Sequence, residues 1–211
     1  MRMQYPAPEQ THELDISLLT ALSSSIGFQY PQDAAYYNLF IDVLTFSRVA
    51  RQELQLTLVS TDEVVRELIE HYPAMLPPNA DIKIEPLADV MGHEPSLTQV
   101  MSNLLTNAVK FVAPGQLPEV RVWTKKHGLE VRILVEDNGI GISPQYQHRL
   151  FRMFERIHPD LDYEGTGVGL AIVRKAAERM NGTVGMESDG KTGSRFWVQL
   201  TGVHSTETAI T

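Results

Sequence analysis

The residues predict an α+β chain: an α-helical hairpin followed by a mixed domain of strands and helices. Three observations carry that reading. Before residue 56, apolar residues recur at helical spacing. At 118–137 and 183–200, apolar and polar residues alternate in paired runs, the mark of half-buried hairpin strands. Between the two classes lies one long amphipathic segment, 95–111. A chain of 211 residues has room for one domain with a core plus an appendage. The net charge of −8 argues against a general nucleic-acid or membrane-surface binder. An anionic ligand must then be held by local devices such as backbone N–H groups, a few cations or a metal ion. Cysteine is absent, which removes disulfides and thiolate metal sites and fits a reducing, cytoplasmic setting. No run of 18 apolar residues is present, so no membrane span is expected.

Taken in order, Leu14, Leu18, Leu22 and Ile26 predict a first helix, weakened at Gly27 and interrupted at Pro31. A second helix is expected from about Gln32 to Gln55, with Leu39, Phe40, Val43, Leu44, Phe46 and Val49 in a broad apolar stripe. Such a hairpin either dimerises into a four-helix bundle or packs on its own downstream domain. Residues 1–56 are thus read as a helical unit, 57–202 as the mixed domain and 203–211 as a polar tail. In the mixed domain, 56–59 reads as a strand. Ser60 and Thr61 open a helix that ends before Pro73. Short strands follow near 82–84 and 90–91. In the 95–111 helix, Asn103, Asn107 and Lys110 share one edge at i, i+4 and i+7. A hairpin turning near Lys126-His127-Gly128 comes next. Ser143-Pro144 opens a helix leading into 150–156, with Ser as cap. Residues 158–164 read as a loop, and a helix from Val168 to about Met180 stops at Asn181-Gly182. A second hairpin closes the domain.

Two glycine-alternating loops stand out: Asp137-Asn138-Gly139-Ile140-Gly141-Ile142 and Gly165-Thr166-Gly167-Val168-Gly169-Leu170. Glycine lets a ligand approach the backbone, so the two loops suggest a chain bent around something flat and something anionic. The run Gly185-Met186-Glu187-Ser188-Asp189-Gly190-Lys191-Thr192 fits the P-loop pattern by letters alone. The residues after it alternate like a strand, and a P-loop needs a helix there. It is read as a hairpin turn. His71, His93, His127, His148, His158 and His204 show no ligand-like spacing for zinc.

The order of Asn103, Asn107 and Lys110, the 137 loop, Phe151 to Phe154, and the 165 loop resembles the ATP-binding catalytic domain of sensor histidine kinases, in the wider superfamily that includes gyrase. The stretch 102–111 resembles that family's N box, 137–142 its G1 box, 151–154 its F box and 165–170 its G2 box. The wording of 144–146 and 163–167 resembles phytochrome-like and PAS-linked kinases most. The resemblance implies a two-layer α/β sandwich, a mixed sheet packed on about three helices, with a Bergerat-type ATP site. It implies Mg-ATP as ligand. Asp137 would accept from the adenine amine, Gly139 and Gly141 would let the backbone approach the base, and Phe111 and Ile142 would belong to the same nucleotide-binding set. Gly165, Thr166, Gly167, Val168, Gly169 and Leu170 would hold phosphates at a helix start. Asn107, with Asn103, would face Mg²⁺, and Lys110 would add positive charge. Arg156 would reach the γ-phosphate.

In this family a histidine on the first hairpin helix takes the phosphoryl group, which then passes to an aspartate on a response-regulator receiver domain. Thr11-His12-Glu13-Leu14 matches that opening, with His12 as acceptor and Glu13 as base. Ile16 stands where many members carry Thr or Asn, and the span from His12 to Ser47 is short for the family's hairpin. His12 is therefore either the acceptor or a solvated His–Glu pair. The resemblance further implies a homodimer through the N-terminal helices and, if the chain is a piece of a longer sensor, an upstream sensor domain. Two rival functions stay open: an ATP-binding dimeric interaction module with an inactive acceptor helix, and a kinase of a partner protein.

Overall fold

The computed structural model describes residues 31–156 and 165–203, with backbone only for 31–35. The first predicted helix, His12 and Glu13, residues 157–164 and the tail from 204 lie outside the described residues. The chain divides into two compact units, Met1–Asn38 and Leu39–Thr211.

Helix α1 (Pro31–Arg51) ends four residues before the predicted limit, with two basic residues in its last turn, where they complement the helix dipole. Its broad apolar stripe splits in two. Leu39, Phe46 and buried Val49 turn onto the core of the second unit, whereas Phe40, Val43 and Leu44 stay exposed. Strand β1 (Thr57–Val59) pairs antiparallel with β3 (Val90–Gly92) as a separate two-stranded sheet. Helix α2 (Thr61–His71) begins as the residues predict: Ser60 Oγ accepts from Glu63 N at 3.3 Å, and two acids fill the first turn.

Five strands form the main sheet in the order β2 (Asp81–Ile84), β4 (Glu119–His127), β5 (Glu130–Asp137), β7 (Ser194–Thr201) and β6 (Thr183–Glu187). Only the β2–β4 pair is parallel, so the sheet is mixed. Period-two alternation sends Val120, Val122, Val131, Ile133, Val135, Phe196, Val198 and Leu200 to one face, and all are buried. Helices α3 (Glu94–Lys110) and α5 (Gly169–Arg179) cover that face, with α2 beside α3. The expected residues of α3, namely Leu97, Val100, Met101, Leu104, Leu105 and Ala108, form its buried side. This is the two-layer sandwich on three helices. Among the described residues no helix is long and apolar enough to cross a membrane.

On the sheet's other face, cross-strand register sets Trp123, Leu134, Trp197 and Gly185 in one row. Arg121 and Arg195 lie over Trp123 at 4.5 and 5.5 Å, and Arg132 over Trp197 at 4.1 Å. Gly185 is what lets the Trp197 indole lie flat across β6, because a Cβ there would overlap the ring. Gly185→Ala is expected to destabilise the domain by about 1–3 kcal/mol, the usual cost of overpacking. A chemical-denaturation midpoint equal to wild type would contradict this.

Two local expectations need correction, and a third, the stop of the last helix at Asn181-Gly182, holds. The β4–β5 turn is Gly128-Leu129, since His127 pairs with Glu130, and β4 runs through Lys126 and His127, the residues expected in the turn. Gly128 at φ +62° supplies the left-handed position such a tight turn needs. The helix after Ser143 stops at once: α4 is only Pro144–Gln147, and Ser143 does not cap it. The Gln147 side chain turns back to bind the carbonyls of Ile142 and Ser188, and i→i+3 bonds continue the chain as turns. At the end of α5 the left-handed residue is Asn181 (φ 59°), with Gly182 N bonding back to Ala177 O at 2.8 Å.

Candidate nucleotide-binding site

Both glycine loops close on the same helix, α3. The β5 ladder carries Asp137 to the end of its strand, opposite Ser194. There its Oδ1 accepts from Gly139 N at 2.8 Å and Ser194 N at 3.1 Å. Among the described residues no hydrogen bond engages its Oδ2. Burial, opposed by those two N–H groups and aided by the neighbouring Glu136 charge, raises the Asp137 carboxyl to about 6. One oxygen is thus fixed by backbone and the other is left for a donor from outside. Gly139 sits where a Cβ would overlap Phe111 O and stand 2.8 Å from Asp137 Oδ1. The next residue, Ile140, donates its N–H to that same Phe111 carbonyl at 2.9 Å. The last turn of α3 and the 137 loop are therefore one wall.

A second segment braces this wall from behind. Gly141 has φ +70°, and a Cβ on it would meet Lys191 N at 2.6 Å. Ile142 N donates to Ser188 Oγ at 2.9 Å, and Ser188 Oγ donates to Gly193 O at 2.6 Å. Asp189, lowered to about 2 by hydrogen bonds from Thr192 and Lys191, closes the turn on itself. So the P-loop look-alike is a hairpin turn, and its task is to hold the 137 loop. Ile142 is half-buried against the core.

The 165 loop runs along the α3 edge. A Cβ on Gly165 would stand 3.6 Å from Lys110 Nζ, and one on Gly169 would stand 2.6 Å from Asn103 Oδ1. The predicted i, i+4, i+7 edge of Asn103, Asn107 and Lys110 therefore does face this loop. Gly167 (φ +73°) accepts from Phe154 N at 2.9 Å, which ties the Phe151–Phe154 segment to the loop. Val168 is fully buried and Leu170 half-buried, anchoring the start of α5. Thr166 Oγ1 donates to Asp42 of α1 and accepts from Val168 N at 3.3 Å. Lys110 Nζ lies 5.4 Å from the Phe111 ring. Arg156 is exposed at the border of residues 157–164.

The residues fit an adenine nucleotide. A pinned carboxylate with one free oxygen, a backbone wall without side chains, and a lysine beside a glycine loop match base at one end and phosphate at the other. Among the described residues no group of three or more His, Asp or Glu side chains could hold a metal alone. A magnesium ion here must be shared with phosphate oxygens, as that ion commonly is. A groove of about 720 Å³ on the solvent side of the sheet shares only Asp137, Asn138 and the 187–195 segment with this site. It contains none of Asn103, Asn107 and Lys110, so it is not the nucleotide cleft. Reading by residue missed Ser194, Ser188, Gln147 and Asp42. Only the alternation in 194–200 hinted at Ser194, by placing it on the core face.

The fold and site define a nucleotide-binding α/β sandwich. The chain belongs to the family of histidine kinase-, DNA gyrase B- and HSP90-like ATPases, whose model matches residues 92–203. Over 163 residues it is 35% identical to the phytochrome-like protein Cph1 of Synechocystis, covering 77% of this chain and 22% of that protein. It is 30% identical to the sensor histidine kinase GacS of Pseudomonas protegens, covering 75% of this chain and 18% of GacS. The chain thus spans about a fifth of the length of these relatives. The crystal structure of full-length ShkA, solved with AMPPNP, superposes with a TM-score of 0.68 at 27% identity, over 90% of this chain and 40% of ShkA.

Proposed function

We propose that this chain is the core of a cytoplasmic sensor histidine kinase that binds Mg-ATP, phosphorylates a histidine and passes the phosphoryl group to a response-regulator aspartate. The observation that carries it is the closure of both glycine loops on α3: the loop of the pinned Asp137 lies against its last turn, and Gly165 and Gly169 lie beside Lys110 and Asn103. In this reading ATP supplies the transferable phosphoryl group. Asp137 takes the adenine amine on its free oxygen and so selects adenine over guanine. Lys110 offsets phosphate charge, Asn107 offers a neutral oxygen to the shared ion, and Arg156 stabilises charge on the transferred group. His12 accepts, with Glu13 as base. Homodimerisation has support in α1: Tyr36, Phe40, Val43 and Leu44, one face at helical spacing, are 73%, 53%, 37% and 38% exposed.

Incubation with γ-labelled ATP and Mg²⁺ tests this. Acid-labile label that disappears in His12→Gln is the expected result. Absence of label in a chain that binds ATP would replace the kinase by an ATP-binding interaction module.

A further inference from the structure

Asn103 and Asn107 stand one turn apart on α3 and look interchangeable as oxygen ligands. Their surroundings differ. Asn103 Nδ2 donates to Gln99 O at 2.8 Å. Only the amide NH₂ can donate to a carbonyl, so this bond settles which way the side chain points. Oδ1 then faces Gly169, the first residue of α5, at the place a Cβ would occupy, 2.6 Å away. The Asn103 amide thus forms a strut that is hydrogen-bonded to the α3 backbone at one end and meets the start of α5 by close contact at the other. Glycine at 169 is what admits it. At Asn107, among the described residues, no hydrogen bond engages either end of the side-chain amide and no glycine Cβ position crowds its oxygen, so it is left for a ligand.

We infer that Asn103 is a positioning residue and not a metal ligand: it sets the first turn of α5, and with it the 165–169 loop, at the spacing from α3 that a polyphosphate needs, leaving Asn107 to face the ion. This rests on the nucleotide reading above. At the other end of the loop Lys110 lies beside Gly165, so the loop meets the same helix edge at both ends.

Calorimetry on the full chain, with Mg-AMPPNP and with adenosine as probes, separates the roles. Mn²⁺ binding to the chain–AMPPNP complex, followed by electron paramagnetic resonance, reads the ion directly. Asn103→Ala is expected to weaken AMPPNP about tenfold while leaving adenosine and Mn²⁺ affinities unchanged. Asn107→Ala is expected to weaken Mn²⁺. Gly169→Ala, which removes no ligand atom but drives Oδ1 from its place, is expected to behave as Asn103→Ala. The double variant is expected to be no weaker than either single one, because both remove the same strut. Loss of Mn²⁺ affinity in Asn103→Ala, or additive losses in the double variant, would overturn the assignment. Should Asn103→Ala not fold, Gly169→Ala with Asn103 in place decides alone: unchanged AMPPNP affinity overturns the strut. A wild-type chain that binds neither probe would sink the nucleotide reading itself, a result distinct from all of these.

Discussion

Asp137→Asn is expected to weaken ATP binding by roughly 10- to 150-fold, the loss of one hydrogen bond to a charged acceptor at about 1.5–3 kcal/mol. The same variant is expected to be the more stable of the two without nucleotide at pH 8. The two effects have one cause. In the free protein burial raises the Asp137 carboxyl from 3.8 to about 6. The stability this group contributes is fully present below pH 3.8 and is lost as pH rises through about 6. Nucleotide binding asks for the opposite state, the ionised carboxylate whose free oxygen takes the adenine amine. Wild-type affinity should therefore be flat above pH 7 and fall roughly fivefold below pH 6, the difference between a charged and a neutral acceptor of about 1 kcal/mol. Asparagine, with no proton to gain, should abolish that pH dependence. Calorimetric titrations from pH 5 to 8, with thermal melts of the free proteins, check both halves. An Asp137→Asn chain that binds ATP as tightly as wild type would show that the adenine contact is elsewhere.

Gly139→Ala is expected to lower ATP affinity by roughly 100-fold or more, without unfolding the domain. The methyl group would overlap Phe111 O and stand 2.8 Å from Asp137 Oδ1. Neither neighbour can yield alone. Phe111 O is bound by Ile140 N, and Asp137 Oδ1 by two backbone N–H groups. The loop must move away from α3, at about 1–3 kcal/mol for overpacking, and it takes the carboxylate with it. Gly115→Ala is the control. Gly115, unlike Gly139, has a left-handed φ of +81°, and nothing lies within 4 Å of its Cβ position. It should cost only backbone strain, roughly 1 kcal/mol of stability, and leave ATP binding intact. Equal nucleotide affinities for the two variants would mean that close approach at Gly139 is not what builds the site.

Much of this was legible in the residues. The i, i+4, i+7 edge of Asn103, Asn107 and Lys110 follows from helical geometry alone, and that edge faces the 165 loop. Strand alternation placed Val120, Val122, Ile133 and Val135 on the core face, where they are buried. The P-loop look-alike was separable from a true one by the strand that follows it. Where the reading failed, a distant partner had overridden a local preference. Ser143-Pro144 is a good helix start, yet α4 ends after four residues because Gln147 is drawn back to Ile142 and Ser188. The α1 stripe looked like one surface and is two, since the core of the second unit covers only one side of it.

The sequence by itself determined the elements, the order of the motifs and the residue types each wall of the site needs. Short-range sterics and hydrophobic periodicity act within a few residues, so they can be read along the chain. Only the tertiary structure decided which atoms meet: Phe111 O with the 139–140 backbone, Asn103 with Gly169, Lys191 with Gly141, Asp42 with Thr166. Each of those pairs joins residues 28 to 124 positions apart, and chain return over such distances is set by the packing of a whole sheet on its helices. That is why two loops that are each a weak signal become one wall and one floor on α3, and why two identical asparagines one turn apart have different surroundings.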